Sequence, residues 1–530
     1  MNKNILLITS DQHHYSLVGY NNPKIKTPNL DRLAAQGMIF ERAYCPNPTC
    51  TPSRASIITG TYPSQHGAWA LGTKLPEDAH TVGDDFRAAG YRTALVGKGH
   101  FQPIVGTEEF PSVESREMLD NLDYWRQRTE PYYGFEEYEL NRDHGNGNAG
   151  QHYAIWLEES GHPAVAGSNG IQRQAISSES QGSDLPEKAT KLQGLTNWRD
   201  YFGNDDAVRD SVWSLPEEFH YSTWIAERAN ARLEEYKRNG DNFFLWVSHP
   251  DPHGPHVVPE RWAKMYDPAM IDVPTVTEGE HDKNPYHFQI TQQVKPDRSM
   301  YVEEGGSDCH GIHSHLSKHT NAAEKVAILY AQVSMLDHYI GKTLDKLDEL
   351  GLAEDTLVVF TADHGDFFGQ HGLRGKGAFH YEDMIKLPFV ARLPGVTEAG
   401  ARTDALLSLV DLAPTFLDVA GLPIPRAMTG RSQRPVLEGS AAAVRDHIMV
   451  ENHHQPTTLH LKTYVNARYK LTVYYNQTYG ELFDLEADRG EVNNLWDDPA
   501  SQALKQDLML NYIHAELGKE PMWMPRLASA

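Results

Sequence analysis

Four short apolar runs, each closed by a polar cluster, constrain the fold more than any other feature of this chain. Asn4–Thr9 is followed by Asp11-Gln12, and Thr93–Val96 by Lys98 and His100. Phe243–Val247 is followed by His253, and Thr356–Thr361 by Asp363-His364. Runs of this length, bounded by turn-forming residues, read as buried strands. Helical patterns alternate with them. Thr27-Pro28-Asn29-Leu30 starts a short helix ending near Gly37, and others follow Cys50, run from Thr81 to about Ala89, and span Tyr221–Lys237 and Asn321–Leu350. Met38–Tyr44 reads as extended. The alternation predicts an α/β fold, a large and mostly parallel mixed sheet sandwiched between helices. Ligands bind beyond the carboxyl ends of strands in such sheets, so the four clusters converge on one pocket.

The catalytic α/β domain is expected over residues 1–430, with a Gly-, Asn- and Ser-rich insertion over the sheet at about 102–216. A second irregular stretch occupies 260–320. A helix is expected over Leu406–Ala420. Beyond 430 the pattern turns antiparallel, with strands at Ile448–Glu451, Thr463–Asn466, Tyr469–Tyr475 and Glu481–Asp484. Residues 431–530 therefore read as a smaller C-terminal α+β subdomain.

Each polar cluster has an ordinary structural explanation when taken alone. Asp11 could cap a helix, Asp363 could be a turn acid before Gly365, and His253 is one of 27 histidines. Taken together they describe one anion-binding metallohydrolase site. Ester hydrolysis at an anionic centre needs a positioned nucleophile, cations on the non-bridging oxygens and an acid for the leaving group. A divalent metal supplies Lewis acidity, carboxylate and amide oxygens suit a hard cation, and Lys and Arg neutralise the anion.

The run Cys50-Thr51-Pro52-Ser53-Arg54, continued by Ile57-Ile58-Thr59-Gly60 and Tyr62-Pro63-Ser64-Gln65-His66-Gly67, matches the C-x-P-x-R signature of sulfatases. With Asp11 to Glu481-Leu482-Phe483-Asp484-Leu485, the chain resembles the type I, formylglycine-dependent sulfatases of the alkaline phosphatase superfamily along almost its whole length. The resemblance implies that Cys50 is oxidised to formylglycine by a maturation enzyme and that its hydrate attacks sulfur, leaving a covalent sulfo-enzyme intermediate. It further implies that Asp11, Gln12, Asp363 and His364 bind a divalent metal with residue 50. Arg54 would then stabilise the formylglycine hydrate, and Lys98 and Lys376 would grip the sulfate. His253 would protonate the leaving oxygen with help from Lys376, and His100 would be the base that expels sulfate. Gln12 and His364 depart from the commonest pattern, which has Asp and Asn there, and resemble the choline sulfatase and phosphonate monoester hydrolase branch. Imidazole favours transition metals, so Ca²⁺ and Mn²⁺ are both expected candidates. The implied substrate is an aryl, alkyl or sugar sulfate monoester, with a phosphonate monoester or phosphodiester as the alternative.

A formal net charge of −24 argues against nucleic acid or an anionic membrane as partner. Three cysteines, Cys45, Cys50 and Cys309, make no disulfide framework and fit a reducing compartment. The N-terminal apolar run is too short for a signal peptide, so a cytoplasmic protein is expected. The insertions and C-terminal extension are of the kind that build homo-oligomer interfaces. Cys309, His310, His313, His315 and His319 match no common zinc spacing and read as a polar lid or solvated loop, with a second metal site as the alternative. The aromatics between Tyr124 and Tyr133 read as packing of the insertion onto the core.

Overall fold

The computed structural model describes residues 3–142, 149–160, 213, 216–302, 309–316, 321–454 and 459–528. Asn4–Ser10 is buried at every residue, and alternation divides its side chains between two faces. Ile5 and Leu7 join one apolar cluster, Leu6 and Ile8 another. Phe244 and Trp246 fall with the first, Leu245 and Val247 with the second. A strand dry on both faces has to lie in a sheet covered by helices on both sides. The Cys50–Thr59 and Leu412–Ala420 helices contribute Ile57, Ile58, Leu412 and Phe416 to the first cluster. The Pro28–Gln36, Tyr221–Asn239 and Ala322–Glu349 helices contribute Leu33, Trp224 and Leu336 to the second.

The strands in chain order are β1 (Asn4–Ser10), β2 (Met38–Tyr44), β3 (Arg92–Gly97), β4 (Glu137–Leu140), β5 (Phe243–Ser248) and β6 (Thr356–Ala362). A short hairpin, β7 (Phe367–Phe368) and β8 (Arg374–Gly375), comes next. Then follow β9 (Lys386–Leu387), β10 (Phe389–Arg392) and β11 (Ala401–Ser408). The nine-stranded sheet runs β11-β2-β10-β6-β1-β5-β3-β4, with β9 paired to β2. The central pairs β6-β1, β1-β5 and β5-β3 are parallel, and β10 is antiparallel to both neighbours. Register fixes the site. Ser10 is opposite Ala362, and Thr9 and Gly97 are both opposite Ser248. Asp11, Asp363, Lys98 and His249 therefore leave the sheet side by side at one rim. Gly97 has φ +105°, and a Cβ there would stand 2.0 Å from the Ser248 carbonyl oxygen, so only glycine allows this approach.

Two expectations change. Residues 401–408 form strand β11, parallel to β2, and the helix starts only at Leu412. The expected insertion is partly integral to the sheet, since β4 extends its edge parallel to β3. The Gln151–Glu159 helix buries Tyr153, Ala154 and Leu157 in the second apolar cluster. Trp125, Tyr132 and Tyr133 pack in the first. Residues 143–148, 161–212 and 214–215 of that segment, and His319, lie outside the described residues.

Four antiparallel strands complete the chain: β12 (His447–His454), β13 (Leu459–Asn466), β14 (Tyr469–Tyr474) and β15 (Gly480–Asp484). One face of this sheet packs on the Gln502–Leu517 helix through Met449, Leu471, Leu482 and Leu508. The other sends Val450, Leu461 and Phe483 into the first apolar cluster.

Candidate metal and nucleophile centre

Cys50 opens a helix that is buried along its whole length. Asn47 Oδ1 accepts hydrogen bonds from the Thr49 backbone N–H at 2.9 Å and hydroxyl at 2.6 Å, fixing the entry. Gly60, in the left-handed region at φ +64°, closes the helix. The first-turn N–H groups of such a helix have no intrahelical acceptor and give its start a positive potential. Ser53 Oγ donates to the Asp363 carbonyl oxygen at 2.6 Å. Arg54, fully buried, donates to Asp363 Oδ2 at 2.9 Å, and to the Lys98 carbonyl and Ser248 Oγ at 2.8 Å each. One guanidinium thus laces the ends of β6, β3 and β5 to the helix.

One ligand atom from each of Asp11, Cys50, Asp363 and His364 lies within 4.8 Å of every other, and all four residues are buried. Cys50 Sγ is 3.1 Å from His364 Nε2, 3.5 Å from Asp11 Oδ1 and 2.9 Å from Lys376 Nζ. His364 Nδ1 donates to the Gly365 carbonyl oxygen at 2.8 Å, which turns the Nε2 lone pair toward the cluster. Asp363 Oδ1 accepts from the Gln12 and His364 backbone N–H groups. Lys98 is ion-paired with Asp11 Oδ2. Outer partners thus orient both carboxylates and the imidazole, as around metal ions. The electrostatics agree. Burial alone would lower the His364 pKa, yet Asp363 and Cys50 together outweigh burial and Lys376, and the imidazole is held above its ordinary value. The cluster attracts a positive charge, and its mixed oxygen and imidazole donors suit a divalent ion.

Cations surround the cluster. Burial would raise the Asp11 pKa, but the charges of Lys98, Lys376 and Arg54 hold it well below the carboxylate range. Burial and Asp11 would raise the Cys50 thiol, but Lys376, Lys98 and His364 bring it below its ordinary value. Burial would lower Lys376, but Cys50 and Asp11 keep it raised and charged. Lys376 Nζ is also 2.9 Å from His253 Nε2. His253 Nδ1 donates to the Gly254 carbonyl at 2.5 Å, so its Nε2 accepts from Lys376. The mobile proton of this pair therefore sits on lysine.

His100 stands at φ +65° with Nε2 2.9 Å from Arg142 Nη2. Burial, then Arg142 and Lys98, push its pKa well below the ordinary value, so it is a neutral imidazole. Gln12 has φ +55°, and its side-chain Nε2 donates to Asp366 Oδ1 at 2.7 Å. Burial raises the Asp366 pKa to about 7 against that hydrogen bond. Asp366 was not legible in sequence, though it stands only two positions past His364. Asp251 was also missed. Its backbone oxygen accepts from the Asp11 N–H at 3.1 Å, and its carboxylate is held by Tyr221, Ser222 and Gln332. Cys45, Cys50 and Cys309 are buried, and none is in a disulfide. Cys309 and His310 border a cleft of about 430 Å³ reached also by Gln12, His253 and Lys376.

A family model described as "Sulfatase" matches residues 3–422. The chain belongs to the sulfatase family. It is thereby placed in the alkaline phosphatase superfamily. A second model, "N-sulphoglucosamine sulphohydrolase, C-terminal", matches residues 369–516 of this sulfatase. An arylsulfatase of Clostridium perfringens is 27% identical over 93% of this chain and 90% of its own. The multifunctional alkaline phosphatase superfamily protein PehA of Trinickia caryophylli is 28% identical over 95% and 93%. Among solved structures, the phosphonate monoester hydrolase of Agrobacterium radiobacter superposes with TM-score 0.75 at 22% identity, over 99% of this chain and 98% of that one. This likeness concerns the fold. Among the described residues no helix is long and apolar enough to cross a membrane.

Proposed function

We propose that this sulfatase hydrolyses sulfate monoesters, with Cys50 matured to formylglycine as nucleophile. The observation that carries the reading is the position of Cys50 Sγ, between His364 Nε2, Asp11 Oδ1 and Lys376 Nζ at a buried helix start. The residue at position 50, once oxidised, would supply a hydrated aldehyde, and a divalent ion held with Asp11, Asp363 and His364 would supply Lewis acidity. Lys98 and Lys376 bind and orient the sulfate through charge-assisted hydrogen bonds. Arg54 fixes the Asp363 carboxylate and the Lys98 backbone. Lys376 holds the proton for the leaving oxygen, and His253, accepting from it, relays or orients that proton. His100, uncharged, is the base that expels sulfate. Burial of the centre excludes bulk water and strengthens each of these interactions.

The second reading, a phosphonate monoester or phosphodiester hydrolase, is favoured by Gln12 and His364. A test compares kcat/KM for nitrophenyl sulfate and a nitrophenyl phosphonate monoester, on protein whose Cys50 peptide carries formylglycine by mass spectrometry. Preference for sulfate supports the first reading, and preference for the phosphonate replaces it with the second.

A further inference from the structure

The cleft over Lys376 differs in charge from the rest of the molecule. Among the described residues lining it are three cations, Arg298, Arg374 and Lys376, while burial pushes the pKa of the lining His310 down to about 3 and leaves it uncharged. None of the described lining residues is acidic, whereas the chain as a whole carries a formal charge of −24. A concave cationic site in an acidic protein focuses its field on an anionic ligand. The sulfate group is met by Lys376 and Lys98, so Arg298 and Arg374 exceed what a singly charged ester requires. Arg374 sits in β8, two residues before Lys376, and its backbone N–H donates to His315 Nδ1 at 3.0 Å. Its guanidinium atoms Nε and Nη2 are buried without a hydrogen-bond partner among the described residues. Desolvation lowers the Arg374 pKa, and Asp366 only partly offsets this. A buried donor left unpaired costs free energy that a bound oxyanion would return.

We propose that Arg374, with Arg298 on the same cleft, reads a second anionic group of the substrate, so that the preferred ester is a dianion. The proposal rests on the sulfate-ester reading and names its substrate class. The planar guanidinium fork fits a carboxylate or a second sulfate equally well. Arg374 is then a specificity residue, not part of the bond-breaking machinery.

The test uses the full chain with Cys50→Ala, loaded with Mn²⁺, and measures binding by calorimetry. Phenyl sulfate is compared with 3- and 4-carboxyphenyl sulfate and with 1,3-phenylene disulfate, which separates a carboxylate from a second sulfate. At least one dianionic ester is expected to bind about tenfold tighter than phenyl sulfate or better, as for a charge-assisted contact. Arg374→Gln should bring that ratio close to one, and Arg374→Lys should keep part of it. If Arg374→Gln fails to fold, Arg298→Gln is read instead and should reduce the ratio. Equal affinity for all esters, or a loss that is the same for all of them, overturns the proposal. The sulfate-ester reading fails separately, if wild-type protein with confirmed formylglycine hydrolyses none of these esters while the binding preference persists.

Discussion

Replacing Lys376 by Ala tests the assignment of the proton donor. Lys376 Nζ lies 2.9 Å from both Cys50 Sγ and His253 Nε2, inside a buried site. Two unit charges about 3–4 Å apart interact by roughly 4–5 kcal/mol at an effective dielectric constant of about 20. Removing one preorganised donor from developing charge typically costs about 3–4 kcal/mol, or roughly 10²–10³ in rate. The size of the loss should depend on the leaving group. Nitrophenolate leaves without much protonation, so only the electrostatic part is lost. An alkoxide needs the proton, and general-acid catalysis contributes about 10²–10⁴. Lys376→Ala should therefore lower kcat/KM by about 10² for nitrophenyl sulfate and by at least tenfold more for an alkyl sulfate. Lys376→Arg should recover part of the first loss and little of the second. The assay is steady-state hydrolysis with metal and formylglycine content matched to wild type. Equal losses for the two esters would refute the role of Lys376 as leaving-group acid. A loss below about fivefold would refute the electrostatic argument as well.

Cys50→Ser should release no more than one equivalent of phenol per chain, because serine lacks the second hydroxyl that lets sulfate depart; sustained turnover would remove formylglycine from the account. Chelation should abolish hydrolysis and lower the melting temperature, since an ion bound to the folded chain alone stabilises it by mass action. His364→Asn should shift the reactivating ion from Mn²⁺ toward Ca²⁺, and unchanged metal preference would show that residue 364 does not ligate. His371 should make stability depend on pH. Burial would lower its pKa, but hydrogen bonds to Asp383 and Glu280 raise it to about 9. A raised histidine contributes stability that is complete below the unfolded pKa of about 6.5 and is lost as pH rises through about 9. Urea unfolding should show a decline of about 3 kcal/mol across this window that His371→Gln lacks; parallel curves for the two proteins would assign the decline to other groups.

The centre was legible because its carriers are the ends of strands buried on both faces. Such strands are unbroken apolar runs, and the first polar residues after them stand out. The misreadings have physical causes. Ala405–Val410 is apolar except for Ser408, as a buried helix could be, and nothing local separates the end of β11 from the helix beginning at Leu412. Strand β4, Glu137-Tyr138-Glu139-Leu140, reads as polar because its carboxylates are not solvated. Glu139 pairs with Arg228 and with Arg232 at 2.9 Å, and Glu137 pairs with Arg92. Tertiary charge partners override strand propensity there. Arg374, in the two-residue strand β8, and Asp366, in the connection from β6 to β7, reach the site through the β7–β8 hairpin, which has no periodic signature.

The burial of Cys50 imposes an order of events. Its side chain is 1% exposed, and Asp11, His364 and Lys376 crowd its sulfur. No second protein can place catalytic groups around that thiol while β1, β6 and the Cys50–Thr59 helix are docked. If Cys50 is matured to formylglycine as proposed, its oxidation would be a race between the oxidising enzyme and folding. The chain would then be a substrate only while nascent or unfolded, and a copy that closes first would be sealed as an inactive thiol form. The active fraction of a preparation would record how fast each chain folded relative to its encounter with the oxidant, and later exposure of the folded protein to that enzyme would leave the fraction unchanged.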